Sequence, residues 1–374
     1  MAGVTPFIPA SAMAREAVTR RDFLQQLAPG ALAAGLALGS RATAAGGHPP
    51  EAEALDLVHL SRMAMGCQFE VVLPEPGAAA VAAAREALEV ASRLEEQLSI
   101  FRPESELSRL NQAASDGLVP VEAGLFDLLG RARDWSERTR GAFDPAAGPL
   151  LALWRQAARE QAPPDPARVA ALLPAVGMRH LELAAERMAV RFRRPGVALD
   201  LASVGKGYAV DCMVTALREQ GVTTALVHAG HSSIFALGAP GVGEGWLVEV
   251  TDPRPGCPPL ARLWLRDRGL STSSARYQSF QAQGTSYGHL VDPRTGWPAQ
   301  GTLSVSALAP GAAEAEALST ALFVLGEGEE TGQMVAGWPG AAALALWPQG
   351  EGSRLEAIGS YFDWEAMGEL NQST

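Results

Sequence analysis

Hydrophobic positions along this chain recur in two rhythms. From Ala78 to Leu98 apolar residues fall every three or four positions in a stretch of good helix formers, which predicts an amphipathic helix. The same rhythm predicts helices over about Leu125 to Thr139, from Pro149 through Trp154, up to about Gly221, and over about Ala313 to Leu325. Period-two alternation predicts strands at Phe69 to Leu73, His180 to Leu183, Met188 to Phe192, Ala225 to His228, Ile234 to Leu237, Trp246 to Thr251, Leu263 to Arg266 and Ser304 to Leu308. Prolines punctuate the pattern. Pro74 and Pro76 end the first strand, Pro103 stops an extended run before a short helix with Ser105 as its cap, and Asp165-Pro166 opens another. The pattern supports a mixed α and β protein without fixing its topology.

Composition narrows the function classes. A chain of 374 residues with 47% hydrophobic content can bury one large domain or two intimate lobes. Its formal net charge of −11, with Lys and Arg scattered, offers no footprint for a phosphate polymer, so nucleic acid is not expected as a partner. Cys67, Cys212 and Cys257 are too far apart for a disulfide framework or a metal cluster; whether one pair forms stays open. At the N-terminus, Thr19-Arg20-Arg21-Asp22-Phe23-Leu24, the apolar run Leu27 to Leu38 and Ala42-Thr43-Ala44 resemble a twin-arginine export signal with its cleavage site. The run is too short to span a bilayer. The expectation is therefore an export signal and linker over residues 1–47, a globular domain over 48–374, passage in the folded state, and a periplasmic location.

Chemistry concentrates in a few stretches. Leu199 to Asp211 reads as a strand, a Gly-Lys-Gly corner and a helix, a place where backbone and Lys206 can approach an anion. A Walker loop is excluded, because Asp200 and Gly207 stand where that motif needs Gly and Ser or Thr. The polar stretch Ser99 to Asn111 either lines a site or forms a solvated corner. The Pro- and Gly-rich loop Arg140 to Leu150 is stiff, so Phe143 as a stacking surface and Asp144 as an acceptor compete with a rigid core-edge turn. For His228 and His231 the simplest role is a local hydrogen bond. A second constellation joins Ser271 to Ser274 and Tyr277 with a strand carrying His289 into the turn Asp292-Pro293-Arg294-Thr295-Gly296, where a fixed imidazole suits a base or a phosphate donor. Glu316 and Thr320 lie four apart on one helix face and suit either a hard cation or a solvated stripe.

Taken together, Met65-Gly66, Ser99 to Asn111, Gly141 to Trp154, Asp200 to Asp211, Ser271 to Tyr277, His289 to Pro298 and Glu316 to Gly326 resemble the ordered motifs of the ApbE family, the FAD:protein FMN transferases. The resemblance implies an α+β fold of mixed and antiparallel sheets with flanking helices and a ligand cleft between two intimate lobes. It implies an FAD site at Met65, Phe101, Ala142, Phe143, Asp144, Asp200, Lys206 and Leu290. It also implies a Mg²⁺ site at the Ser203 carbonyl, Glu316, Ser319 and Thr320. The implied reaction moves FMN from FAD to a Thr or Ser hydroxyl of an exported or membrane-bound acceptor protein, with His289 as base and AMP as product. The alternatives are a Mg²⁺-dependent FAD pyrophosphatase and a non-catalytic flavin-binding protein. Three departures stand out: Glu316 replaces the family's usual Asp, so restoring Asp is expected to be tolerated; His231 and Ser232 interrupt its paired glycines; and Ser274 stands at another of its glycines.

Overall fold

The computed structural model describes residues 56–241, 244–275, 279–359 and 363–367; the segment assigned to export and Tyr277 lie outside the described residues. The described chain opens with strands β1 (Leu57–Ala64) and β2 (Cys67–Pro74), joined by Met65-Gly66. Both turn residues have positive φ, 48° and 77°, which matches the twist of a tight hairpin. Helix α1 (Ala78–Leu98) has the bounds its periodicity predicts, burying Ala83, Ala84, Ala87, Leu88, Ala91, Leu94 and Leu98. Helix α2 (Glu106–Ala113) starts at the predicted cap, where Ser105 Oγ accepts from Ser108 N at 3.0 Å. Then come β3 (Val119–Pro120), α3 (Ala123–Arg138), α4 (Gly148–Glu160) and α5 (Pro166–Leu172). Strands β4 (Leu181–Ala184) and β5 (Ala189–Phe192) pair with each other and with β3 in a small sheet of order β3-β5-β4.

Next are α6 (Gly205–Glu219), β6 (Ala225–Ala229), β7 (Ser233–Leu237), β8 (Trp246–Val250), β9 (Ala261–Leu265) and β10 (Arg268–Ser274). A hairpin of β11 (Ser279–Ala282) and β12 (Thr285–Gly288) precedes β13 (Ser304–Ala309), α7 (Ala312–Leu325) and α8 (Glu329–Ala336). The chain then adds β14 (Ala342–Gln349), β15 (Gly352–Ile358) and β16 (Asp363–Ala366). Eight strands form the main sheet in the order β1-β2-β6-β7-β10-β13-β14-β15, and every pairing between described strands is antiparallel.

Period-two alternation gives this sheet two dry faces. Val71, Val227, Phe235, Val305 and Ala343 point into one core with α1, α6 and α7, while Val72, Leu226, Ile234, Leu308 and Leu344 pack against the β16-β9-β8 sheet. The α+β class implied by the sequence therefore holds, as three layers of helices, large sheet and small sheet. A satellite core gathers α4 and α5 around the β11–β12 hairpin, with Trp154 against Tyr287 and Trp297 at 5.5 and 5.4 Å between ring centroids.

Two sequence-based assignments change. Leu199 to Leu201 is not a strand: it is a connection held from outside by Asn111, whose side chain donates to Leu199 O at 2.9 Å and accepts from Leu199 N at 2.8 Å. Nor does a strand carry His289, which sits on an exposed bend just beyond Gly288, the end of β12.

Helices α6 and α7 meet in the interior. Neither N-cap residue, Val204 or Gly311, caps its own helix through a side chain. A Cβ added to Gly207 would fall 2.4 Å from Ala312 O, so only glycine lets the two backbones come this close. Across that contact Asp211 of α6 accepts from Ala312 N at 2.7 Å and Ala313 N at 3.0 Å, and Glu316 of α7 accepts from Gly207 N at 2.6 Å.

Candidate active site

The first turn of α6 leaves N–H groups without intrahelical partners, and a carboxylate is favoured there by both hydrogen bonding and the helix dipole. Glu316, only 5% exposed, fills this role for Gly207 and at the same time holds Lys206 Nζ at 2.5 Å through its other oxygen. Burial works against a charged Lys206, but the Glu316 carboxylate outweighs it and the ammonium's pKa ends above its ordinary value. Cys67, at the start of β2, lies within electrostatic reach of the pair. Burial pushes its thiol up to about 11, with Lys206 pulling down and Glu316 pushing further up, so at neutral pH it is a thiol and not a thiolate nucleophile.

Around the pair the donors are oxygens. Ser319 Oγ and Thr320 Oγ1 both donate to Glu316 O, at 3.1 and 2.9 Å, and Ser319 Oγ also lies 3.0 Å from Ser273 Oγ of β10. Ser203 sits in the turn entering α6, two residues before its first helical position. Ser319 and Thr320 thus bond the Glu316 backbone carbonyl, while the Glu316 carboxylate is bound to Lys206 and Gly207. Among the described residues no group of three His, Cys, Asp or Glu side chains converges as a metal cage. One carboxylate with hydroxyls is a donor set for a hard cation that also takes ligands from a substrate phosphate.

Within the connection that precedes α6, Asp200 is 2% exposed and receives Arg155 of α4 at 2.7 Å and Ala202 N at 3.0 Å. The same guanidinium lies 5.6 Å from the ring centroid of Phe101, which is 77% exposed. Arg155 therefore links two predicted site residues. It has no sequence signal, because its partner is 45 positions away.

Other predicted residues take different places. Phe143 cannot be a stacking surface here: it is fully buried, edge-on to Trp135 at 6.4 Å. Asp144 also points inward, accepting from Ser136 Oγ at 2.8 Å, Ala146 N at 2.9 Å and Met178 N at 3.0 Å, and burial raises its pKa against those donors. Ala142 is buried beside them, so the loop can offer a ligand backbone but not these side chains. Met65 and Leu290 are partly buried against the main core. His289 is exposed, and the turn beyond it is locked by Arg294, whose Nε and a terminal nitrogen each reach Asp292 at 2.9 Å. The local hydrogen bond expected of His228 is not formed: both of its buried ring nitrogens are without a hydrogen-bond partner among the described residues, and what holds the ring is an ion contact of 3.2 Å from Nε2 to Glu70 Oε2 and the His231 ring stacked on it at 4.7 Å. A separate cavity of about 170 Å³ lined by Arg138, Arg140, Glu330 and Trp338 contains none of these residues.

This architecture is shared with flavin transferases of known structure. The ApbE protein of Thermotoga maritima matches with a TM-score of 0.72 at 27% identity, covering 81% of this chain and 97% of that one. The flavin transferase ApbE from Vibrio cholerae matches with a TM-score of 0.70 at 25% identity, covering 82% and 99%. The chain belongs to the ApbE family, whose model matches residues 65–344. Among its relatives, an FAD:protein FMN transferase of Treponema pallidum is 34% identical over 75% of this chain and 82% of its own length. One from Klebsiella pneumoniae is 31% identical over 68% and 74%.

Proposed function

We propose that this protein transfers FMN from FAD to the hydroxyl of a Thr or Ser on an acceptor protein. The oxygen of that hydroxyl forms a bond to the FMN phosphorus, the pyrophosphate P–O bond breaks, and AMP leaves with the electron pair. The proton of the hydroxyl passes to His289, an exposed imidazole on a bend whose following turn is braced by Asp292 and Arg294. Lys206, at the start of α6, supplies positive charge to the phosphate. Glu316, Ser319, Thr320 and the Ser203 carbonyl would hold Mg²⁺, which when bound neutralises phosphate charge. Phe101, backed by Arg155, offers an exposed ring face for a planar part of FAD.

The observation that carries this reading is the part-buried Lys206–Glu316 pair at the close crossing of α6 and α7, within a chain of the ApbE family. Export through the segment at 1–47 belongs to the same proposal and places the acceptor outside the cytoplasm. The test is to incubate the protein with FAD, Mg²⁺ and a Thr-containing acceptor domain and to follow acceptor mass and AMP together. Transfer requires AMP release with acceptor mass rising by FMN less one water. AMP with no acceptor gain makes the protein a pyrophosphatase, and neither product makes it a flavin carrier.

A further inference from the structure

We propose that Asp211 is a positioning residue for Lys206 and Glu316, acting through a reciprocal pair of helix caps where α6 crosses α7. The inference rests on the transfer reaction proposed above. In α6 the capped amide of Gly207 stands four residues before the capping carboxylate of Asp211; in α7 the capped amide of Ala312 stands four residues before the capping carboxylate of Glu316. Each helix therefore donates at its first turn and accepts one turn later, so the crossing closes as a ring of hydrogen bonds.

The ring fixes the register of the two helices. One residue of slip moves a helix about 1.5 Å along its axis, enough to pull both caps out of hydrogen-bond range together. Sideways play is also closed off: a Cβ on Gly207 would lie 2.7 Å from Ala313 Cα, and one on Gly311 would lie 3.1 Å from Asp211 Oδ2. Asp211 has both oxygens engaged on α7 amides, so it holds the frame and touches no reacting group. Without it the first turn of α7 loses its only side-chain acceptors among the described residues, and the carboxylate one turn further on is released from its place opposite Gly207 and Lys206. Asp211 closes the Gly-Lys-Gly stretch in the sequence, yet nothing in that stretch assigns it this task.

The test compares Asp211→Ala and Asp211→Asn with a control at the other end of α7, the helix that Asp211 caps: Thr302→Val. Thr302 Oγ1 donates to Phe323 O at 2.9 Å near the α7 C-terminus, so its loss weakens the helix without touching the crossing. Four quantities are measured on each: melting temperature, amide exchange at Gly207, FAD dissociation constant and single-turnover transfer rate from the FAD complex. Loss of the cap in Asp211→Ala should speed Gly207 exchange and slow transfer per bound FAD by about tenfold each, the factor matching a typical cap. Asp211→Asn keeps one acceptor oxygen and should fall between, which also serves if the alanine variant does not fold. Thr302→Val should lower the melting temperature alone. If the Asp211 variants behave like Thr302→Val, with wild-type Gly207 exchange and transfer, the positioning role is wrong. If the wild-type protein transfers no FMN, the functional reading fails, and Gly207 exchange still decides whether the caps are coupled.

Discussion

Replacing Glu316 by Asp separates what the family pattern suggests from what this chain's geometry requires. The Glu316 carboxylate reaches Lys206 Nζ at 2.5 Å and Gly207 N at 2.6 Å. Removing one methylene withdraws it by about 1.5 Å, opening both contacts to about 4 Å, beyond hydrogen-bond range. Helix α7 cannot move in to compensate, because Gly207 and Ala312 already meet at a separation that excludes a Cβ. A lost cap costs about 0.5 to 2 kcal/mol, and the charge-assisted bond to Lys206 adds to that; with 27% of the lysine side chain in solvent, we expect about 1.5 to 3 kcal/mol in total. For a protein of this size that corresponds to a fall of about 2 to 4 °C in melting temperature. Glu316→Gln keeps the reach but not the charge, so it should retain the Gly207 bond and lose the ion pair. Thermal unfolding followed by circular dichroism, with Gly207 amide exchange on the same samples, reads both. An Asp variant with wild-type melting and wild-type Gly207 protection would show that the crossing is pliable and refute the reasoning.

The remaining predictions use the same measurements. Gly207→Ala gains helix propensity of about 1 kcal/mol but forces a Cβ onto Ala312 O, so we expect net destabilisation of about 1 to 3 kcal/mol; a raised melting temperature would contradict the close approach. Glu70 is held at about 2, first by its contact with His228, against burial and with help from His59. Because that lies below its ordinary 4.5, its stabilisation is present above pH 4.5 and is lost as pH falls toward 2, so the melting difference between wild type and Glu70→Gln should close over that window; a constant gap would argue against the ion contact. His289→Asn should lose about 10²- to 10⁴-fold in transfer rate from the FAD complex while FAD affinity and melting stay near wild type. A near-normal rate would remove His289 as base.

What could be read from sequence follows from which forces act locally. Helix α1 was legible to the residue because its apolar stripe is unbroken, and Ser105 because a cap acts on an amide three positions away. Strand β10 was not, since hydroxyls take the place of apolar alternation: Ser271 is buried, Thr272 pairs with Ser306 at 2.7 Å and Ser273 with Ser319. Strand β14 is apolar on both faces from Ala342 to Leu346, so it shows no period, and β1 is an edge strand with most positions exposed. The site divides the same way. Lys206 announced itself through its glycines, whereas its carboxylate partner lies 110 positions on, and the inward turn of Phe143 and Asp144 depends on Trp135, Ser136 and Met178.

The pair at the crossing also bears on how a chain of net charge −11 would accept a pyrophosphate in the reaction proposed above. An anion approaching an acidic protein is repelled at long range, but salt screens that field within about 10 Å, leaving the local charges to decide. Locally, Lys206 and Glu316 sum to zero, and the amides at the start of α6 add partial positive charge. Helix α7 is buried along nearly its whole length by apolar contacts, so its place does not depend on an ion pair, and buried pairs contribute little net stability against well-packed apolar residues. A charge held at that disadvantage is better explained by a partner that arrives. In the transfer reaction proposed above, the lysine kept ionised by Glu316 would meet the phosphate, and a cation held by Glu316 would leave the ammonium for it.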